Sequence, residues 1–237
     1  MKNLTILLLI LLSVGCKKDA VETRNPGKRL ASITIDGKLS QVFQYENNLL
    51  VQEDFYTFCQ DNPTDQYTYE YKGDKIHKLK TTLRSMYSST SALCNPASGI
   101  KTDEVFEYNS QGQINKIVRT NTSTEFVYNS KGLVIKKTII GGQKPLENTY
   151  EYDAKGNLIK EMDSYGGVAQ YEYDNQSNPF YLMKHRPDWI SPFNKSPNNV
   201  IKATGSVVFK REFQYLAEGL PSQVIDGNGG TYRYNYE

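Results

Sequence analysis

Aromatic residues spaced two apart recur along most of the chain. The second member of each pair falls at Tyr45, Tyr71, Tyr108, Tyr128, Tyr152, Tyr173, Tyr215 and Tyr234. The first falls at Phe43, Tyr69, Phe106, Phe126, Tyr150, Tyr171, Phe213 and Tyr232. Strand residues two apart share a face, so each pair marks a half-buried strand. The intervening residue is often charged, as with Glu107, Glu151 and Glu172. Turn chemistry follows the pair. Tyr-x-x-x-Gly occurs at Gly112, Gly132, Gly156 and Gly219, while Asn47-Asn48 and Gly73-Asp74 make shorter turns. A glycine at that offset suits a type I turn closed by a left-handed residue. A second apolar run then begins, as in Leu158-Ile159-Lys160 after Gly156.

The aligned tyrosines are mostly roughly 19 to 26 residues apart, the length of two strands and two turns. This predicts an all-β, antiparallel up-and-down meander of about sixteen strands, closed into a barrel or forming a strongly curved sheet. Strands are expected near 28–35, 39–46, 49–58, 65–72, 75–86, 102–109, 113–119, 123–129, 133–140, 147–153, 157–163, 168–174, 199–204, 207–215, 220–226 and 230–236. Asn199-Val200-Ile201-Lys202 mirrors Asn157-Leu158-Ile159-Lys160, so 175–198 reads as an insertion opening one hairpin turn. The period leaves the inner face undecided, because Lys116, Lys136, Lys160 and Lys202 fall in phase with Ile114, Val134, Leu158 and Val200.

The N-terminus is different. Met1-Lys2-Asn3 precedes an apolar run from Leu4 to Leu12, too short to cross a bilayer comfortably. Ser13-Val14-Gly15-Cys16 follows and resembles a bacterial lipobox, with Ser13 where that pattern prefers Leu. The resemblance implies removal of a lipoprotein signal peptide at 1–15, lipidation of Cys16 and a lipid-anchored tether at 16–27. An ordinary cleaved signal peptide is the alternative. The YD-like repeat domain then spans 28–237. Lys17-Lys18-Asp19 only weakly resembles the acidic surface-export tract of Bacteroidetes lipoproteins, so a periplasmic or a cell-surface side both stay open.

Export makes the surroundings oxidising, so Cys59 and Cys94 are expected to form a disulfide rather than two buried thiols. Strand parity agrees. In a meander the connections alternate between two rims, and both cysteine loops fall on the rim opposite the tyrosine turns. Their parent strands are separated by one strand, about 10 Å, which loop slack can close.

Composition narrows the chemistry. Lys+Arg 28 against Asp+Glu 26 gives no case for a nucleic-acid partner. Tyr is abundant at 18, whereas there are only 2 His and 1 Trp. His77 lies in a repeat strand and His185 in the insertion, too few bases for a nucleophilic triad. Acids that recur with the repeat read as a solvent face rather than as a catalytic pair. Asp226-Gly-Asn-Gly-Gly230 lacks the alternating acids of a calcium loop and reads as a hairpin turn. No metal, cofactor or enzymatic activity is expected. The insertion is the candidate partner-binding element, through Phe180, Tyr181, His185, Arg186, Trp189 and Phe193 among its prolines. The competing reading makes it a plug that packs its aromatics into an open barrel end.

The aromatic-x-Tyr-Asp…Gly pattern resembles the YD repeats of the Rhs and teneurin class. With the lipobox and the Asn178-Pro179-Phe180…Ser196-Pro197-Asn198-Asn199 segment, it looks like a family of uncharacterised Bacteroidetes lipoproteins with a porin-like β-barrel fold. The resemblance covers about residues 28–237 and implies the barrel architecture but no activity. Short strands, the lipid anchor and a C-terminal Glu237 instead favour a soluble barrel tethered by lipid at the outer membrane. The insertion favours a binding or scaffold role toward a glycan or an envelope protein. A structural assembly role, and less so a glycan-active enzyme, are the alternatives.

Overall fold

The computed structural model describes residues 27–59, 61–85, 93–183 and 190–237. Its sixteen strands are β1 (Leu30–Ile35), β2 (Lys38–Glu46), β3 (Leu49–Phe55), β4 (Asp65–Lys72), β5 (Lys75–Leu83), β6 (Ile100–Tyr108), β7 (Ile114–Val118) and β8 (Ser123–Tyr128), followed by β9 (Val134–Ile140), β10 (Leu146–Tyr152), β11 (Leu158–Asp163), β12 (Val168–Ser177), β13 (Asn198–Gly205), β14 (Phe209–Tyr215), β15 (Pro221–Asp226) and β16 (Thr231–Tyr236). Each strand pairs with its chain neighbours, and β16 pairs antiparallel with β1 through Ile33 opposite Tyr234. The sheet is therefore a closed barrel with no free edge.

The differences from expectation are local. β12 continues to Ser177, which pairs with Asn198, so the insertion is shorter at both ends and is rooted in a ladder. β5 stops at Leu83 because the next amide, that of Arg84, donates to the Thr64 carbonyl and to Asp65 Oδ1. The last tyrosine of the alignment shifts by two. Tyr236, not Tyr234, donates to the carbonyl of the preceding hairpin, that of Pro221 at 2.8 Å. Tyr45, Tyr71, Tyr128 and Tyr152 do the same to Leu30, Leu50, Ile114 and Val134. Each such bond ties one hairpin to the one before it.

The inner face is the aromatic one. Phe43, Tyr69, Phe106, Phe126, Tyr150 and Tyr171 are buried with Leu79, Ile117, Leu158 and Val224. The lysines that fall in phase with apolar residues are explained by a bulge after every tyrosine turn. Tyr108 pairs with Ile114 but Glu107 pairs with Lys116, so Asn115 is an extra residue. The same shift recurs where Tyr152 faces Leu158 and Glu151 faces Lys160, and where Tyr173 faces Val200 and Glu172 faces Lys202. One inserted residue flips the face, turning Ile114 inward and Lys116 outward. The turn glycines permit this tight return. Gly112 and Gly156 have φ of 77° and 92°.

The outer wall thus carries charge pairs: Lys160 to Glu151 at 2.7 Å, Lys202 to Glu172 at 2.7 Å, Lys136 to Glu147 at 2.6 Å and Lys116 to Glu125 at 3.3 Å. Exposed pairs of this kind add little stability. Their meaning is the solvent they face. A lipid-facing barrel presents an apolar band about 25 Å tall, whereas here ion pairs run across the strands between exposed apolar residues such as Val105, Val118, Val127 and Ile135. The recurrent acids lie on this wall.

At the rim opposite the tyrosine turns, Cys59 and Cys94 form a disulfide, with Cα atoms 5.5 Å apart. A second fastening lies beneath it. The buried Arg84 guanidinium donates to the carbonyls of Pro63 at 2.9 Å, Asn95 at 3.1 Å and Pro96 at 2.8 Å, bridging both cysteine loops.

Candidate functional site

The insertion turns into the barrel. Its two short helices, α1 (Pro179–Leu182) and α2 (Pro192–Lys195), each begin with proline at the first turn, where a missing N–H costs nothing. Asn178 joins the two ends: its amide nitrogen donates to the carbonyls of Phe193 at 2.5 Å and Ser196 at 2.8 Å, while its Oδ1 accepts from Phe180 N. Ser196, fully buried, fastens the insertion to the wall. Its Oγ accepts from Leu158 N at 3.0 Å and donates to Tyr173 Oη at 2.9 Å. Asn157 of the wall also bonds Asn198 in both directions, at 3.1 Å each.

The aromatics of the insertion follow this anchoring inward. Phe180 meets Phe43 and Tyr234 edge-on, each at 6.2 Å, and Phe193 stacks on Phe209 at 5.5 Å. Tyr181 is half-buried. Phe180 and Phe193 therefore face the lumen, as a plug would place them, and anything they touch must enter the barrel. His185, Arg186 and Trp189 lie outside the described residues, as do Cys16 and the signal-peptide and tether segments up to residue 26. Tyr181 and Phe180 stay close in α1, and Phe193 in α2 approaches from the other side.

Beside the plug, among the described residues, lie a larger chamber and a smaller one. The larger, at the tyrosine-turn mouth, holds about 790 Å³. Its wall includes the rings of Tyr45, Tyr71 and Tyr108 and, from the plug, Leu182 and Met183. The phenol oxygens are held by backbone carbonyls, so the rings are fixed. Cations lie over two of them: Arg29 is 4.7 Å from the Tyr45 ring and Lys75 is 5.2 Å from that of Tyr108. Arg29 also pairs with Glu237 at 2.8 Å. Burial pushes these phenols up, Tyr71 to about 12, and Tyr45 and Tyr108 likewise rise through burial. They stay neutral donors at physiological pH. The mouth thus offers rigid aromatic faces ringed by both signs of charge.

The smaller chamber lies on the other side of the plug, toward the β1–β2 turn, and holds about 180 Å³. Arg211 and Asn194 line it, and neither was singled out from the sequence. Arg211 follows Phe209 and precedes Phe213 on the inward face of β14, a cation in an aromatic row that the period-2 pattern itself marks. Among the described residues, no group of His, Cys, Asp and Glu is arranged to hold a metal ion. The Asp226 segment is a turn: its Oδ1 accepts from Asn228 N at 3.0 Å and from Gly230 N at 2.9 Å.

No family model matches the sequence, and no curated protein matches it. Among solved structures, a porin-like protein from Bacteroides uniformis superposes with a TM-score of 0.55 over 88% of this chain and 96% of that one, at 12% identity. The barrel fold is shared. At that identity the likeness concerns the fold alone. The Tc holotoxin pore of Photorhabdus luminescens aligns over 83% of this chain and 9% of its own, at 13% identity and a TM-score of 0.31.

Proposed function

We propose that the protein is a lipid-anchored component of the bacterial cell envelope that acts as a binding module, taking a glycan at its mouth chamber. Envelope placement rests on the apolar N-terminal run and the Ser13-Val14-Gly15-Cys16 segment, together with the disulfide. The ion pairs across the outer wall support the lipid, rather than the barrel, as the membrane attachment. Gly27, Lys28 and Arg29 line the mouth, so the tether enters the fold there. Its residues 17–27 extend to roughly 35–40 Å at most, which keeps that end near the bilayer.

The observation that carries the glycan reading is the mouth itself. A chamber of about 790 Å³ lies within the usual range of ligand sites. Sugars present flat C–H faces and a fringe of hydroxyls. Fixed tyrosine rings suit the faces, and Arg29, Lys75, Asp74 and Glu237 suit the hydroxyls. The proposal is binding rather than catalysis, with no cofactor. The test is an array of bacterial and host oligosaccharides probed with the natural protein and with Leu182→Trp, which fills the chamber from the plug side. Binding of at least one glycan, weakened tenfold or more by the substitution, is expected. No bound glycan, or binding indifferent to Leu182→Trp, would overturn the reading.

A further inference from the structure

Arg119 and Arg211 both face the lumen, and they differ in one respect. Arg119 is fully matched: its Nε and one terminal nitrogen grip both oxygens of Glu104 at 2.8 and 3.0 Å, and the other donates to Thr124. Arg211 makes no hydrogen bond and no ion pair among the described residues, and its Nε is buried without a partner. It is held by rings instead, 4.3 Å above Phe193 and 5.1 Å from Phe209. The nearby carboxylate of Asp226 does not satisfy it. Asp226 is already bonded by Asn228 N, Gly230 N and, at 3.2 Å, Tyr232 Oη. Burial opposes its ionisation, but those backbone donors, Tyr232 and the field of Arg211 hold it below the ordinary carboxylate range.

A second open donor lines the same chamber. Asn194 is only 4% exposed, and its Nδ2 has no partner. Its orientation is fixed, because Oδ1 accepts from Ser191 N at 3.2 Å and from Ser191 Oγ at 2.9 Å. Rotating the amide would set N–H against N–H. The chamber thus presents one cation and one amide donor, both open, in a box that is mostly apolar through Ile33, Ile35, Phe55 and Val224, with Ser40 and Gln41 also in its wall. A buried donor left unpaired is costly, and more so when charged. A ligand bringing acceptor oxygens recovers that. The volume of about 180 Å³ is close to that of an engineered apolar cavity, ~150 Å³, that takes up benzene.

We propose that this inner chamber is a second binding site, for a small organic carboxylate. The carboxylate is held by Arg211 and Asn194, and an aromatic or short aliphatic body lies against the plug rings and Ile33. The site is separate from the mouth and independent of the glycan reading.

The test is calorimetric titration of the natural protein with benzoate, phenylacetate and hexanoate, with benzamide as the uncharged counterpart of benzoate. At least one acid should bind saturably, and benzamide at least tenfold more weakly than benzoate. Arg211→Gln should lose tenfold or more for the acid that binds. Val224→Phe, which fills the apolar part and leaves Arg211 in place, should abolish binding and keeps the test decisive if Arg211→Gln fails to fold. No binding by any of the three acids, benzamide binding as tightly as benzoate, or binding unchanged in Val224→Phe would each overturn the proposal. None of these results bears on Leu182→Trp at the mouth.

Discussion

Replacing Cys59 and Cys94 together with serine lowers the unfolding free energy by about 4 kcal/mol. The two residues are separated by 35 positions, and a loop of that length released in the unfolded chain restores about 4 kcal/mol of conformational entropy at room temperature. The native geometry adds no reason for the effect to be smaller, since strand parity already brings the two loops to one rim. The bridge ties the β3–β4 connection to the β5–β6 connection, so its loss frees the rim while the ladder between β3, β4 and β5 remains. Urea unfolding of the oxidised natural protein and the double variant measures the difference. A loss under about 1 kcal/mol would mean that the loops are held without the bridge.

Arg84→Ala is expected to cost about 3 kcal/mol or more, because three charge-assisted bonds are lost and their buried acceptors are left open. Arg84→Lys should recover little, since one ammonium cannot reproduce a planar fork reaching three carbonyls. Equilibrium unfolding of both variants decides this, and a cost for Arg84→Ala within about 0.5 kcal/mol of zero would make the residue an ordinary surface position. Arg84 and the disulfide hold the same two loops. The triple variant should therefore depart from additivity, as neighbouring fastenings do.

Much of the barrel was legible because each repeat states its own pairing. The aromatic pair marks the inward face, the Asn or Asp and Gly mark the turn, and the next apolar run is the return strand. All sixteen strands sit where this grammar puts them. An even strand number lets β16 close antiparallel on β1, but it equally allows an open curved sheet, and the closure itself is seen in the structure. What the period hid was the bulge. Lys116 falls in phase with Ile114 in the sequence, yet one inserted residue puts them on opposite faces. The sequence alone does not distinguish that from a strand with a polar inner face.

The site was legible in place and not in detail. Prolines and aromatics singled out 175–198 as the break in the repeat, and both readings of it, partner surface and plug, were open. Phe180 and Phe193 point inward because Asn178 joins the two ends of the segment and Ser196 fastens them to the wall, through bonds between residues some twenty to forty apart in the chain. Such bonds leave no mark in local periodicity. Arg84 escaped for the same reason: its role depends on carbonyls brought close only by the fold. Asn194 is held locally by Ser191, three residues before it, and only the fold leaves its Nδ2 without a partner beside the chamber. Arg211 was readable, since a lone cation in an inward aromatic row is costly to bury unless something answers it.

Both chambers depend on the chain closing on itself, because an open sheet would have neither mouth nor inner chamber. Ser32 and Asn235 face each other across the closing pair, and Asn235 Nδ2 donates to Ser32 Oγ at 3.1 Å. Mild oxidation of folded Ser32→Cys/Asn235→Cys protein, followed by non-reducing peptide mapping, tests closure directly. The account predicts a new bridge joining β1 to β16, formed without loss of stability and alongside an intact Cys59–Cys94 bond. Both introduced thiols remaining free in the folded protein would contradict it.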